Sequence, residues 1–258
     1  GEVLPSDCVP LVLEIIGYCL IVDRRAKYSL VYLFFGAGSN GKTILNNLII
    51  TAIGQENSCS IPLQELDGNR FKRADLVGKL VNIFSDLSNK PLESSSYLKT
   101  ITGGDKIDVE RKNKDPQYVT ITAKLLYSCN EIPKSGGDQS FGFYRRLCII
   151  PFPNQFTGSN ADKNLLDKLT QPKELSGFLN KALVALRRLF EQDGFTEAES
   201  SKKMLEHYKK RNDPTSAFVT DCCSLDDINA RTDRAELYKS YSVYCKNSGY
   251  WREGRNDF

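Results

Sequence analysis

Apolar residues at the start of the chain recur at helical spacing. Val12, Ile15, Ile16, Cys19 and Leu20 share one face, so roughly the first 25 residues read as a helix ending near Asp23 and its basic neighbours Arg24, Arg25 and Lys27. Leu30 to Phe35 is then an unbroken apolar run rich in β-formers and closed by Gly36, the pattern of a strand buried on both faces. Helical period resumes at Ile44, Leu45, Leu48, Ile49 and Ile53 and stops at Gly54. Strand, glycine loop and helix follow one another without a gap.

Further strands are predicted at Leu80 to Phe84, leading to Asp86; at Val119 to Cys129, ending at Asn130; and at Leu147 to Phe152, just after Arg145 and Arg146. Their alternation with helical stretches predicts an α/β core with a parallel sheet. Beyond Pro153 the pattern turns helical. Phe178, Leu179, Ala182, Leu183, Leu186, Leu189 and Phe190 form one amphipathic face, and Thr196 with Glu199 has capping-box spacing. Asp213-Pro214 breaks the chain, and Asp233 with Glu236 caps a last helix through Leu237, Tyr241, Tyr244 and Cys245.

With 258 residues, 40% of them hydrophobic, the chain can build one large domain or a core with appendages. The longest apolar run, Leu30 to Phe35, falls far short of the roughly 20 residues of a membrane-spanning helix. Glu2 and Asp7 stand where a signal peptide would be basic, and Glu14 interrupts the stretch from Val9 to Val22. The expectation is an intracellular protein with no membrane partner, in the host cytoplasm or nucleoid, or in the nucleus of a eukaryotic host. Eight cysteines form no C-x-x-C pair and His207 is the one histidine, which argues against zinc and for free thiols in a reducing compartment. A net charge of +3 identifies no nucleic-acid partner, so any DNA contact must come from local basic clusters.

Gly36-Ala37-Gly38-Ser39-Asn40-Gly41-Lys42-Thr43 matches G-x-x-x-x-G-K-[ST]. Glycines let successive backbone N–H groups turn around phosphate oxygens, Lys42 reaches the β- and γ-phosphates, and Thr43 holds Mg²⁺ at the helix start. Such a loop needs a carboxylate at the end of a neighbouring strand, and Asp86 supplies one, with Glu93 a more distant alternative. Asn130 can orient the lytic water or simply form a turn before Pro133. Arg145 and Arg146 can offer a cation to a transition state or merely flank a strand. A GTPase would need N-K-x-D, where Asn89-Lys90-Pro91-Leu92 lacks the Asp. A transporter ATPase would need its signature before Asp86, whereas Ser135-Gly136-Gly137-Asp138-Gln139 lies after it. A small-molecule kinase stays open as an alternative.

As a set, these residues resemble the superfamily 3 helicases of the phage, plasmid and poxvirus-type primase-helicases, a branch of the AAA+ ATPases. The resemblance runs through Ile15-Ile16-Gly17-Tyr18-Cys19-Leu20, Gly36 to Thr43, Lys79 to Asp86, and Leu98-Lys99-Thr100-Ile101-Thr102-Gly103-Gly104-Asp105. It continues in Glu110-Arg111-Lys112, Ser128-Cys129-Asn130-Glu131-Ile132-Pro133, Phe143-Tyr144-Arg145-Arg146 and Ile149-Ile150-Pro151-Phe152. It implies an AAA+ P-loop core over residues 28–158, preceded by a helical segment (1–27) and followed by helices (159–212) and the start of a winged-helix-like domain (213–258).

By the same resemblance Lys42 and Thr43 are the Walker A pair, Asp86 the Walker B acid and Asn130 the sensor of the γ-phosphate. Arg145 or Arg146 is the finger that reaches a neighbouring subunit's ATP. Lys99 and the Gly103-Gly104-Asp105 turn lead into a β-hairpin whose tip, Arg111, Lys112, Asn113 and Lys114, grips single-stranded DNA. The implied function is an ATP-dependent replicative DNA helicase using ATP and Mg²⁺. It would act on single-stranded and forked DNA as a homo-hexameric ring moving 3′ to 5′, and would be a module of a longer protein with a primase or polymerase domain. The alternative is a catalytically inactive AAA+ domain that binds DNA or acts as an adaptor. Two departures stand out: Ser85-Asp86 offers one acid where some relatives carry two, and the sequence stops at Phe258, short of a full winged helix.

Overall fold

The computed structural model describes residues 2–23, 27–135, 137–224, 226, 231–256 and 258; Arg24, Arg25 and Gly136 lie outside them. Helix α1 (Cys8–Cys19) stops before the expected Asp23, because the Asp23 carboxylate accepts hydrogen bonds from the Tyr18 hydroxyl (2.6 Å) and the Lys27 amide (3.0 Å) and turns the chain. The expected strand, loop and helix follow as β1 (Val31–Phe35) and α2 (Lys42–Ile53). Next come β2 (Ser58–Cys59), α3 (Leu63–Gly68), α4 (Arg70–Arg73), β3 (Val81–Phe84) and α5 (Ser96–Gly103). Then follow β4 (Lys106–Val109), β5 (Gln117–Thr120), β6 (Lys124–Cys129), α6 (Phe141–Tyr144) and β7 (Leu147–Pro151). The remainder is helical: α7 (Leu165–Leu169), α8 (Pro172–Glu191), α9 (Glu199–Asn212), α10 (Pro214–Cys222) and α11 (Arg234–Ser248).

The fold is α/β. Five strands form a parallel sheet in the order β2-β3-β6-β1-β7, with Val31 opposite both Leu125 and Leu147. The single strand expected over Val119 to Cys129 is instead two. Gln117–Thr120 is half polar and pairs antiparallel with β4 outside the main sheet, whereas the wholly buried Lys124–Cys129 enters it. That change from half-polar to fully buried positions marks where the chain leaves one sheet for the other.

One core unites Tyr32 and Phe34 of β1 with Ile83, Leu126 and Ile150 of the other strands, Ile15 and Ile16 of α1, Ile49 of α2 and Ala182 of α8. Helices α1 and α8 approach closely at Gly17, where a Cβ would lie 2.4 Å from the Ala182 carbonyl oxygen. Beside this contact the fully buried Glu14 carboxylate accepts from Arg188 Nε (2.7 Å), Gln192 Nε2 (3.1 Å), Thr196 N (2.7 Å) and Thr196 Oγ1 (2.6 Å).

Thr196 is thereby committed to Glu14, which corrects the capping-box expectation. The amino end of α9 is met by a residue distant in sequence: Asp7 accepts from Ser200 N (2.8 Å) and Ser200 Oγ (2.9 Å). Those bonds, led by the Ser200 amide, hold the Asp7 carboxyl below its usual pKa. Asp233 caps α11 as expected, accepting from the Ala235 and Glu236 amides.

The chain divides into two compact units, Gly1–Leu205 and Glu206–Phe258. The second has its own aromatic cluster around Phe218 and Tyr241, with the Tyr241 and Phe258 rings stacked at 4.4 Å. Among its described residues it carries helices and no strand. All eight cysteines are free thiols. Among the described residues, no helix is long and apolar enough to cross a membrane.

Glu14→Ala would leave Arg188, Gln192 and the Thr196 amide without their shared acceptor. The expected loss is about 2–4 kcal/mol of unfolding free energy in a urea titration. A loss below about 0.5 kcal/mol, the range of ordinary surface substitutions, would mean that these donors find other partners.

Candidate functional site

After Phe35 the chain must turn sharply to start α2. Gly36 permits this because a Cβ there would fall 2.4 Å from both the Phe152 carbonyl oxygen and Asn40 Nδ2. Gly41 takes φ +88°, a left-handed conformation suited to glycine, and its own Cβ would meet Val3 at 2.9 Å. The segment after β7 braces the loop: Phe156 N donates to Ser39 O (2.7 Å), Gln155 Nε2 to Gly38 O (3.1 Å) and Asn40 Nδ2 to Phe152 O (3.3 Å).

Lys42 is buried at the first position of α2. Its ammonium donates to Gly36 O (2.5 Å), Ala37 O (3.0 Å), Asn40 Oδ1 (3.1 Å) and Asn130 Oδ1 (3.1 Å). Burial holds its pKa below that of an ordinary lysine. Every one of these acceptors is neutral, so an anionic oxygen would be a stronger partner than any of them.

The sheet order places Asn130 between Lys42 and Asp86, because β6 lies between β1 and β3. A cleft of about 400 Å³ is lined by Gly38, Ser39, Asn40, Gly41, Lys42 and Thr43 together with Ile44, Ser85, Asp86 and Asn130. Gly36 and Ala37 sit at the root of the loop as Lys42 acceptors, and Glu93 is exposed and takes no part in the lining. The Thr43 and Asp86 side chains are both exposed on this cleft. Hard oxygen donors of this kind suit Mg²⁺, which is usually held by one or two protein oxygens plus phosphates and water. Among the described residues no group of three or more His, Cys, Asp and Glu side chains is placed to hold a metal ion.

A second recess of about 400 Å³ shares Ser39, Gly41 and Ile44 with this cleft and is walled by Val3, Phe156, Ala161 and Leu165. No motif marks these residues, and sequence reasoning missed them.

This chain is similar to viral proteins named helicases. A protein of Acanthamoeba polyphaga mimivirus named a "putative helicase" is 24% identical over 248 residues, 84% of this chain and 25% of that protein. Another of that name from Invertebrate iridescent virus 6 is 24% identical over 148 residues, 53% of this chain and 15% of that protein. The chain thus spans a quarter or less of the length of these curated relatives. The model of a family of unknown function, DUF5906, matches residues 34–146, the stretch that holds the cleft. Among solved structures, the apo A form of the NrS-1 C-terminal region has a TM-score of 0.53 at 15% identity, over 95% of this chain and 64% of that one. That likeness is one of fold.

The two arginines differ in their surroundings. Arg146 Nε donates to Thr102 Oγ1 (3.0 Å) and its Nη1 to Gly142 O, tying it to α5 and α6. Arg145 is exposed. Both precede β7, whose start pairs with Val31 and whose end pairs with Phe35. They therefore stand at the amino edge of the sheet, a strand length of about 16 Å from the Gly36–Thr43 loop at ~3.3 Å per residue.

The turn at Gly103-Gly104-Asp105 leads into a β4–β5 hairpin, as expected. Arg111, Lys112, Asn113 and Lys114 form its exposed tip, closed by Lys114 N donating to Arg111 O (3.0 Å), with Asn113 at φ +61°. Arg73, unmarked by any motif, holds the base. Its buried guanidinium bonds Asp108 Oδ2 (2.7 Å) and Asp108 O (3.1 Å) and lies 3.8 Å from the Tyr97 ring centroid. The Tyr97 hydroxyl bonds Asp108 Oδ1 (2.5 Å). Lys99 is on α5, away from the tip, in an ion pair with Asp138 (2.7 Å).

Burial alone would raise the Asp138 pKa, but hydrogen bonds from Lys99, Ser95 and Ser140 outweigh it and hold the carboxyl well below the usual range. A depressed folded-state pKa stabilises fully above the unfolded value of 3.8 and is lost as pH falls below it. Asp138→Asn should therefore flatten the decline of the urea midpoint between about pH 4 and pH 2. A decline as steep as the parent's would assign that acid sensitivity to other carboxylates.

Proposed function

We propose that the chain is the ATP-driven motor of a replicative DNA helicase, of the superfamily 3 AAA+ kind. The observation that carries this is the meeting of Lys42, Thr43, Asp86 and Asn130 on one cleft at the carboxyl edge of a parallel sheet. The viral relatives' names and the basic hairpin tip support the step from nucleotide to DNA.

In this reading Lys42 exchanges the Gly36 and Ala37 carbonyls for β- and γ-phosphate oxygens. Asn130 keeps its Oδ1 on the Lys42 ammonium, and its Nδ2 is left to orient the attacking water. Thr43 and Asp86 would hold Mg²⁺, which would supply positive charge beside the phosphates. The recess walled by Val3, Phe156 and Leu165 gives the base an apolar seat beside the loop.

Arg145 is the finger and Arg146 a structural residue, since Arg146 is spent on Thr102 and Gly142. Because Arg145 lies at the edge opposite its own chain's cleft, it completes the cleft of a second copy. That requirement favours a ring, six-membered by the family resemblance. Arg111, Lys112 and Lys114 grip phosphates of one strand, and ATP turnover moves the strand past them.

Lys42→Ala should abolish ATP hydrolysis, because it removes the one ammonium on the cleft, and should leave the far-UV spectrum unchanged. Undiminished turnover in the purified variant would sink the nucleotide assignment. Mixing Lys42→Ala with Arg145→Ala protein should restore turnover, since interfaces form that carry both an intact cleft and an intact finger. Mixtures that never exceed the separate variants would end the case for action in trans.

The hairpin is tested by Lys112→Ala combined with Lys114→Ala. Single-stranded DNA binding should weaken, with basal ATPase retained, and each lost phosphate contact should lower the log–log salt slope by about 0.7. Labelled oligonucleotides titrated at several salt concentrations give the answer. An unchanged slope would remove the tip from the DNA path.

A further inference from the structure

Asn46 stands on α2 one turn beyond Lys42, on the same face of the helix, and is fully buried. Its Nδ2 donates to Ser128 Oγ at 2.8 Å and to Ser85 Oγ at 3.0 Å. Ser128 lies on β6 two residues before Asn130, and Ser85 immediately precedes Asp86 at the end of β3. A single amide thus joins the helix that carries Lys42 and Thr43 to the two strand ends that carry the opposing site residues.

Both amide hydrogens are directed at the serines, and among the described residues the buried Oδ1 has no hydrogen-bond partner. The consequence falls on Ser85. A hydroxyl has one hydrogen to donate, and with its oxygen accepting from Asn46 the O–H bond must point elsewhere. Ser85 is exposed and lines the cleft with Lys42, Asp86 and Asn130. Asp86 is the sole carboxylate in that lining, so the serine brings a neutral donor where a second acid would repel phosphate.

We propose that Ser85 donates a hydrogen bond to the terminal phosphate of a bound nucleoside triphosphate, and that Asn46 is the positioning residue that sets the Ser85 hydroxyl for this contact. The proposal rests on the nucleotide reading above and adds to it a way for the cleft to tell triphosphate from diphosphate. A diphosphate lacks the group that Ser85 addresses, so Ser85 contributes to one affinity and not to the other.

The test is a pair of titrations at constant Mg²⁺, with a fluorescent non-hydrolysable ATP analogue and with fluorescent ADP. Ser85→Ala should lower affinity for the ATP analogue about tenfold, the loss expected for one hydrogen bond to a charged group, with ADP affinity unchanged. Ser85→Thr, which keeps the hydroxyl, should restore most of the difference. Asn46→Ala should reproduce the selective loss, and adding Ser85→Ala to it should change the ATP-to-ADP ratio no further.

An unchanged ratio in Ser85→Ala, in a parent that binds both nucleotides, overturns the proposal and leaves the nucleotide reading standing. Equal weakening of both nucleotides by Asn46→Ala overturns its positioning role and makes it a packing residue. A parent that binds neither nucleotide overturns both readings. Ser85→Ala alters an exposed side chain, so its result does not depend on how well the buried Asn46 variant folds.

Discussion

Strand direction governs this protein. In the five-stranded parallel sheet every carboxyl end falls on the same edge, so the loop after β1, Ser85-Asp86 after β3 and Asn130 after β6 converge without any one of them being adjacent in sequence. The order of the strands then sets the spacing. With β6 between β1 and β3, Asn130 comes within 3.1 Å of Lys42, and Asp86 takes the farther side of the cleft. The same rule sends Arg145 and Arg146, which precede β7, to the other edge. A parallel sheet therefore separates the two groups of charged residues by the length of a strand, and a role for Arg145 at a phosphate has to be played on another copy.

Within the cleft Lys42 is a buried ammonium whose hydrogen-bond acceptors are all neutral. Four oxygen acceptors around Lys42 exceed the three hydrogens it can offer, and burial lowers its pKa. Such a group is stabilised by any anion that reaches it. The loop is correspondingly stiff: the close approaches at Gly36 and Gly41 and the bonds from Phe156 and Gln155 fix its path from outside the motif. Binding would then exchange partners of Lys42 and need not remodel the backbone.

The Gly36–Thr43 loop, Asp86 and Asn130 were legible in the sequence because each follows a run rich in apolar β-formers, and those runs become strands of one sheet. The break between Gln117–Thr120 and Lys124–Cys129 was not legible. Both halves are rich in β-formers, and what parts them is long-range: one pairs with β4, the other with β1 and β3, where it is wholly buried. Long-range polar contacts were equally hidden. Asp7 serving the amide of Ser200, Glu14 gathering Arg188, Gln192 and Thr196, and Asn46 spanning two serines join positions up to 193 residues apart, which no local spacing encodes. Thr196 and Glu199 show the opposite error, a local pattern overridden when a buried carboxylate claimed the threonine.

The hairpin shows how such long-range contacts decide what a local motif can do. A basic turn on a two-stranded ribbon would be marginal by itself, since isolated hairpins are barely stable in water. Here Arg73 of α4 bonds the Asp108 side chain and backbone as well as the carbonyls of Leu66 and Asp67, while Arg70 pairs with Glu110 at 2.7 Å. The base is held on two sides, by α4 and through Tyr97 by α5. The tip from Arg111 to Lys114 is left to solvent. A swing of the hairpin about its base would have to break a buried guanidinium's bonds, a strongly unfavourable step.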